Sequence, residues 1–416
     1  MKGVWPRVAL ISLGGFFEFY DLFFTGYIAP GLVRSGILTP TTPGLFGSTG
    51  IAGFVAAMFS GLFVGTALVS FLADRFGRRT IFTYSLLWYT AASVIMAFQH
   101  HVFGLNLWRF ISGIGVGVEL VTIDTYLSEL VPANLRGRAF AINQTIQFCA
   151  VPVVALLAWL LVPRSPFGLD GWRWVVLLGA AGAILVWWIR RRVPESPRWL
   201  AQTIGSSQAV VSIPRGSFAE MWRPPYRIRS IMLIVFNLFQ TVGFYGFSNW
   251  VPTLLIERGI AITSSLEYTS IIAIAAPFGP LAAATIADRL ERKWQIVASA
   301  FVIAVSGILF GQMTGAALLI FFGVLLTLSN NILSFSCHAY QAELYPTRIR
   351  ALAVGFVYSF SRISVVFSSF AIGFTLDRFG VPGVFSLIAG SMLIVMLVIG
   401  LLGPRTNNLA LEVVSQ

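Results

Sequence analysis

Twelve apolar blocks follow one another along this 416-residue chain, each of a length that can cross the hydrocarbon of a bilayer as a helix. They run at roughly 8–30, 50–72, 81–99, 105–130, 139–162 and 172–190, then 229–256, 266–287, 295–313, 316–341, 352–375 and 382–402. In lipid every backbone N–H and C=O must be satisfied inside a helix or a closed barrel. The blocks are continuous and rich in Leu, Ile and Phe, without the period-two alternation of barrel strands. The fold class they predict is all-α integral membrane, with twelve transmembrane helices. Charged residues make up 11% of the chain, against about 25% in soluble domains, which excludes disorder and an ordinary soluble enzyme. Two cysteines, Cys149 and Cys337, cannot supply a zinc set or a disulfide framework. The first block resembles a signal peptide in length, but Glu18 and Asp21 interrupt it and no small-residue cleavage site follows, so it is expected to stay in the protein.

The net charge of +12 does not point to nucleic acid, because the basic residues sit in short turns rather than in one basic domain. With both termini inside, Lys and Arg favour the cytoplasmic turns by about four to one. Arg109 and Arg362 fall within or at the edge of helices. The longest cytoplasmic loop divides the helices six and six, giving an N-terminal bundle at 1–190, a linker at 191–228 and a C-terminal bundle at 229–416. Asp74-Arg75 and its basic turn reappear as Asp288-Arg289. Glu129-Leu-Val-Pro132-Ala-Asn-Leu-Arg136 reappears as Glu343-Leu-Tyr-Pro346-Thr-Arg-Ile-Arg350. Both pairs are displaced by 214 positions, the mark of an internal duplication. Parallel six-helix repeats point to a secondary transporter with its substrate site near the midplane.

Several motifs then carry a family resemblance over essentially the whole chain. Ser70-Phe-Leu-Ala-Asp74-Arg75-Phe-Gly77-Arg78-Arg79 resembles the loop 2–3 motif of the major facilitator superfamily, G-x-x-x-D-R-x-G-R-R. The leading glycine is Ser70 here and Ala284 in the second copy, where Glu291 also replaces the later glycine. Pro194-Glu195-Ser196-Pro197-Arg198 resembles a motif of sugar porters and organic-ion transporters. Phe17-Glu18-Phe19-Tyr20-Asp21 resembles the E-x-Y-D signature of metabolite:proton symporters. The resemblance implies the major facilitator fold, a small-molecule substrate, no cofactor and a monomer. The fold itself hosts many substrates.

Asp74, Arg75, Glu129, Arg136, Asp288, Arg289, Glu343 and Arg350 lie near expected cytoplasmic helix ends. One reading is topology and turn chemistry. The other is a cytoplasmic gate of ion pairs that rocking would break, with Glu195 joining it. Inside the membrane a charge costs at least about 2.5–3.5 kcal/mol on insertion scales, so the buried ionisable residues need a reason. Glu18 and Asp21 share a helix face, and two carboxylates so close in low dielectric should not both ionise easily. Proton coupling is the functional reading, with Asp21 foremost; a structural hydrogen-bonded pair is the other. Arg109 can hold a carboxylate ionised, and Glu119 or Asp124 is a possible partner within the same half. Gly113, Gly115 and Gly117 on the same helix are expected to serve close packing.

Arg362 lies deep in the eleventh block, where a guanidinium can capture an organic anion in a bidentate fork or close an internal salt bridge to Asp21 or Glu18. Gln240, Tyr245 and Asn249 fall on one stripe of the seventh block, and Gln144, Gln147, Asn331 and Tyr358 are further candidate substrate contacts. Pro277 and Pro280 should interrupt the eighth helix. His100 and His101 lie in an outer loop and His338 stands alone in the tenth block, so no metal or nucleophile constellation forms. No G-x-x-x-x-G-K-[ST] phosphate loop occurs. These residues predict a proton-coupled symporter of a small organic anion such as a carboxylate, in a bacterial inner membrane. A sugar or polyol carrier, or an organic-ion or drug carrier, is the alternative.

Overall fold

The computed structural model describes residues 4–39, 42, 50–66, 76–132, 135–190, 195, 217–286 and 290–406. Asp74, Arg75, Asp288 and Arg289 lie outside the described residues, as do the side chains of Asp124, Glu129, Arg136 and Arg350. All regular structure among the described residues is helical. Helix α1 is Val4–Arg34, α2 Ala52–Val64, α3 Arg78–Ala97 and α4 Val102–Leu130. Helix α5 has two segments, Arg136–Phe148 and Ala150–Leu161, and α6 is Gly171–Arg190. Helix α7 comprises Tyr226–Ser248 and Val251–Glu257, and α8 comprises Ile262–Ala273 and Phe278–Ile286. Helices α9 and α10 are Arg292–Gln312 and Ala316–Glu343. One run, Thr347–Leu402, turns sharply at Gly380 (φ 63°, ψ −165°) into α11 (347–379) and α12 (381–402). A positive φ of this kind is open to glycine and costly for a residue with a Cβ.

The twelve apolar blocks thus reappear as twelve helices. Nine helices among the described residues are long and apolar enough to cross a membrane, and Leu352–Leu402 holds two crossings. Helix α2 is described over 13 residues, and Arg109 and Glu119 lower the hydropathy of α4. Proline sets the breaks. The interruption expected at Pro277 and Pro280 is present: between the α8 segments Ile274, Ala275 and Ala276 donate to carbonyls three residues back. Pro252 and Pro152 have no N–H to offer the carbonyls four residues earlier, and α7 and α5 break at 249–250 and at Cys149. The sequence reading did not anticipate either of these.

The chain divides into two compact units. The first takes residues 1–206, 248–277 and 369–374. In it α4 packs on both α2 and α3, and α1 lies against the α5 segments and α6. Val251–Glu257 packs on α1, and Ile262–Ala273 on Ala150–Leu161. The α2–α4 contact is made by glycine, as expected: a Cβ on Gly61, Gly113 or Gly117 would collide with the carbonyl oxygens of Phe110, Met58 or Leu62. The second unit takes residues 207–247, 278–368 and 375–416. There α9 and α10 pair along their length, Phe278–Ile286 packs on α10, and Phe247, Phe310 and Phe385 form an aromatic stack. Large apolar side chains such as Phe321, Phe367 and Leu401 are exposed, while Glu18, Arg109, Glu119 and Asn237 are buried. That distribution is the reverse of a water-soluble domain and suits a lipid surround.

Two glycine substitutions separate packing from propensity. Gly113→Ala should destabilise the protein by about 1–3 kcal/mol through overpacking against α2. Gly355→Ala, on a helix position with open space around it, should be neutral or stabilise it by up to about 1 kcal/mol. Thermal unfolding in detergent compares the two.

Candidate functional site

In the first unit the buried charges converge on Asp21. Arg109 Nη1 donates to Asp21 Oδ2 at 2.7 Å, and Ser93 Oγ of α3 donates to Oδ1 at 2.6 Å. Ser112 Oγ, one turn along α4 from Arg109, donates to Oδ2 at 3.1 Å. Arg109 Nη2 donates to the Asp21 backbone carbonyl and to Thr25 Oγ1. The Arg109 guanidinium carbon stands 4.3 Å from the Phe24 ring centroid and 5.9 Å from that of Phe54. Arg109 is 0% exposed and Asp21 4%. The pair therefore joins α1 to α4, with α3 supplying a hydroxyl.

This corrects the expected partner of Arg109. Glu119 lies ten residues further along the same helix, about 15 Å at 1.5 Å per residue, and cannot reach. Asp21, projecting from α1 at the level of Arg109, can. Glu18 and Glu119 are both fully buried. A small void of about 10 Å³ beside Asp21 is lined by Tyr20, Tyr89, Thr90 and Ser93 and by small residues of α6. Ser93, Ser112 and Thr25 were not singled out from the sequence. Ser112, one helical turn from Arg109, and Thr25, one turn from Asp21, carried a signal in their spacing; Ser93 did not.

In the second unit the buried cation is Arg362, 3% exposed. Its Nη1 donates to Tyr245 Oη of α7 at 3.3 Å and its Nη2 to Tyr358 Oη at 3.1 Å. The guanidinium carbon stands 4.9 Å from the Tyr358 ring centroid. The structure thus brings together three of the expected substrate contacts, Arg362, Tyr245 and Tyr358. His338 is not solitary as the sequence suggested: its Nε2 lies 3.2 Å from Tyr358 Oη.

The remaining candidates are dispersed. Gln147 packs against Gly15 of α1, where a Cβ would meet its amide, and Gln144 sits on the same α5 segment. Asn331 lies against Gly279 of α8, and Gln240 is buried in α7. Asn249 is fully buried at the α7 break, neither amide atom has a hydrogen-bond partner among the described residues, and its backbone carbonyl abuts Gly26. Of the gate candidates whose side chains are described, Glu343 is ion-paired with Arg292, and the Glu195 carboxylate accepts the backbone N–H of Arg79 at 3.0 Å. Arg292 was seen only as part of a basic turn. A carboxylate at the first turn of α3 satisfies an orphan donor and suits the helix dipole. Among the described residues no group of three His, Cys, Asp or Glu could hold a metal ion.

Removing one partner of a fully buried ion pair leaves the other charge uncompensated and costs about 3–5 kcal/mol. Asp21→Asn should lower detergent stability by less than that, because the Asp21 carbonyl, Thr25 Oγ1 and the Phe24 ring still hold the cation. The double variant Asp21→Asn/Arg109→Gln should recover part of the loss, which a double-mutant cycle on melting curves measures.

Family-model comparison matches residues 8–217 to the sugar (and other) transporter family and residues 268–412 to the major facilitator superfamily. The putative metabolite transport protein YyaJ of Bacillus subtilis is 31% identical, over 94% of this chain and 90% of its own length. The niacin transporter NiaP of Acinetobacter baylyi is 28% identical, over 97% and 94%. Among solved structures, a D-xylose-proton symporter superposes with a TM-score of 0.77 at 20% identity, covering 96% of this chain and 98% of that one. The Escherichia coli xylose transporter XylE in a partially occluded inward-open conformation gives 0.78 at 18% identity, covering 99% and 100%. The sequence relatives establish the family and the structural neighbours the fold: this chain is an integral membrane protein of the sugar (and other) transporter family within the major facilitator superfamily.

Proposed function

We propose that this transporter is a proton-coupled symporter that imports a small organic carboxylate by alternating access. The observation that carries the reading is the different setting of its two buried arginines. Arg109 is closed on a carboxylate of the protein itself, whereas Arg362 is steadied by the phenol groups of Tyr245 and Tyr358. A planar guanidinium oriented in this way suits the two oxygens of a substrate carboxylate. Among sequence relatives, niacin, itself an aromatic monocarboxylate, appears in the names of two transporters.

Asp21 is the proton site in this reading. Protonation removes the ion pair, yet Arg109 cannot lose its own charge. The Asp21 carbonyl, Thr25 Oγ1 and the Phe24 face remain to hold it. The cation is thus not stranded when the carboxylate is neutral: α1 and α4 stay together while the N-terminal bundle loses its internal ion pair, and the two bundles, 1–190 and 229–416, rock about the 191–228 linker. The ion pair of Arg292 with Glu343 and the bond of Glu195 to the start of α3, together with the repeated acid and base motifs, serve as the cytoplasmic gate. Both termini face the cytoplasm of a bacterial inner membrane, and the protein acts as a monomer.

Purified protein in liposomes loaded with a pH dye tests this, with protein-free liposomes beside them because weak acids cross bilayers unaided. Nicotinate or benzoate should acidify the interior faster with protein than without it. Asp21→Asn should abolish proton movement while exchange of labelled substrate across the membrane continues. Arg362→Lys should lower carboxylate uptake at least about tenfold, since an ammonium cannot reproduce the fork. A second reading, a sugar carrier, is favoured by the two amide atoms of buried Asn249, unsatisfied among the described residues, and by an arabinose-proton symporter among the relatives. Uptake of D-xylose or L-arabinose with no response to either carboxylate would overturn the anion assignment.

A further inference from the structure

The His338–Tyr358–Arg362 chain lies wholly in the second unit and has a defined hydrogen-bond polarity. His338 Nδ1 is 2.7 Å from the Ser334 carbonyl oxygen one turn earlier on α10. A carbonyl only accepts, so Nδ1 carries the proton. In the neutral ring Nε2 is then an acceptor, and Tyr358 donates its hydroxyl hydrogen to it across 3.2 Å. The same phenol oxygen accepts from Arg362 Nη2. The rings of His338 and Tyr358 stand 5.1 Å apart at 63°, which fixes their orientation.

We infer that His338 is a second protonation site, and that the proton it takes and the anion held by Arg362 bind together. Two physical effects point the same way. When Nε2 gains a proton it becomes a donor to the Tyr358 oxygen. The Tyr358 hydroxyl hydrogen is displaced and swings to the Arg362 side, where a carboxylate oxygen can accept it. The new imidazolium also stands one phenol away from a guanidinium in a low-dielectric setting. That repulsion is relieved when an anion lies on Arg362. Arg362 is the charged group that acts on the ring. The titratable neighbours are Tyr358 of α11, Cys337 of α10 with its Sγ 3.7 Å from Nδ1, and Tyr245 of α7 on the far side of Arg362. The ring itself is exposed. His338 is thus a positioning residue acting through Tyr358, and it rests on the reading that Arg362 holds a carboxylate.

The test is binding of labelled nicotinate to the full-length protein in detergent from pH 5.5 to 8. Asp21→Asn serves as the background, so that the helix-1 proton does not contribute. One linked proton should tighten binding as pH falls, approaching about tenfold per pH unit where His338 titrates. Binding to Asp21→Asn/His338→Gln should be independent of pH. Tyr358→Phe in the same background keeps the histidine but cuts the chain, and should reduce the pH slope to the part carried by charge repulsion alone. An unchanged pH slope in both variants, with binding still lost in Arg362→Gln, overturns the His338 proposal alone. Absence of nicotinate binding, or binding indifferent to Arg362→Gln, overturns the carboxylate reading together with it.

Discussion

The bond between Arg109 and Asp21 is the constraint around which the first unit is organised. A lone guanidinium in a membrane helix is costly, so α4 needs a carboxylate within about 3 Å, and that carboxylate stands on α1. Ser93 and Ser112 fill the remaining acceptor positions of Asp21, which brings α3 into the same network. Phe24 and Phe54 sandwich the cation from α1 and α2. The aromatic from α2 can approach only because Gly61, Gly113 and Gly117 allow the two backbones to meet. Small residues and a buried pair therefore depend on each other. The close packing excludes water from the pair, and the pair compensates the charge that the packing buries.

Arg362 solves the same electrostatic problem differently. Its guanidinium is oriented by phenols of α7 and α11, and a histidine of α10 stands behind one of them. Orientation by hydroxyls keeps the cation planar and directed, and a hydroxyl can turn its hydrogen when its neighbour changes protonation. One arginine meets a carboxylate, the other a pair of phenols.

The breaks in α5, α7 and α8 follow from proline, and at the α7 break Asn249 and Trp250 are buried, the setting in which membranes tolerate irregular backbone. In the first unit, Val251–Glu257 after the α7 break packs on α1, and Ile262–Ala273 before the α8 break packs on α5. There Gly26 makes room for the Asn249 carbonyl. At the other end of the second unit Lys293, Tyr340 and Glu291 bind the backbone of residues 403, 404 and 406, tying the segment after α12 to the starts and ends of its neighbours.

The helix number, the family and the burial of charge at Asp21, Arg109 and Arg362 were legible in the sequence. Each rests on a local or one-dimensional signal: the length of an apolar run, a motif at fixed spacing, a charge where lipid forbids one. The α8 interruption was legible for the same reason, because proline acts on its own helix. Pairing was not. Glu119 was closer to Arg109 along the chain, but helical rise carries it away, and Asp21, 88 residues earlier, is the partner. Likewise His338 was isolated in sequence and is a neighbour of Tyr358 in space, and Glu343 found Arg292 rather than a residue of its own motif. Sequence sets which groups must be compensated, because that cost is paid residue by residue. Which group compensates them is decided only when packing fixes the rotation and depth of each helix.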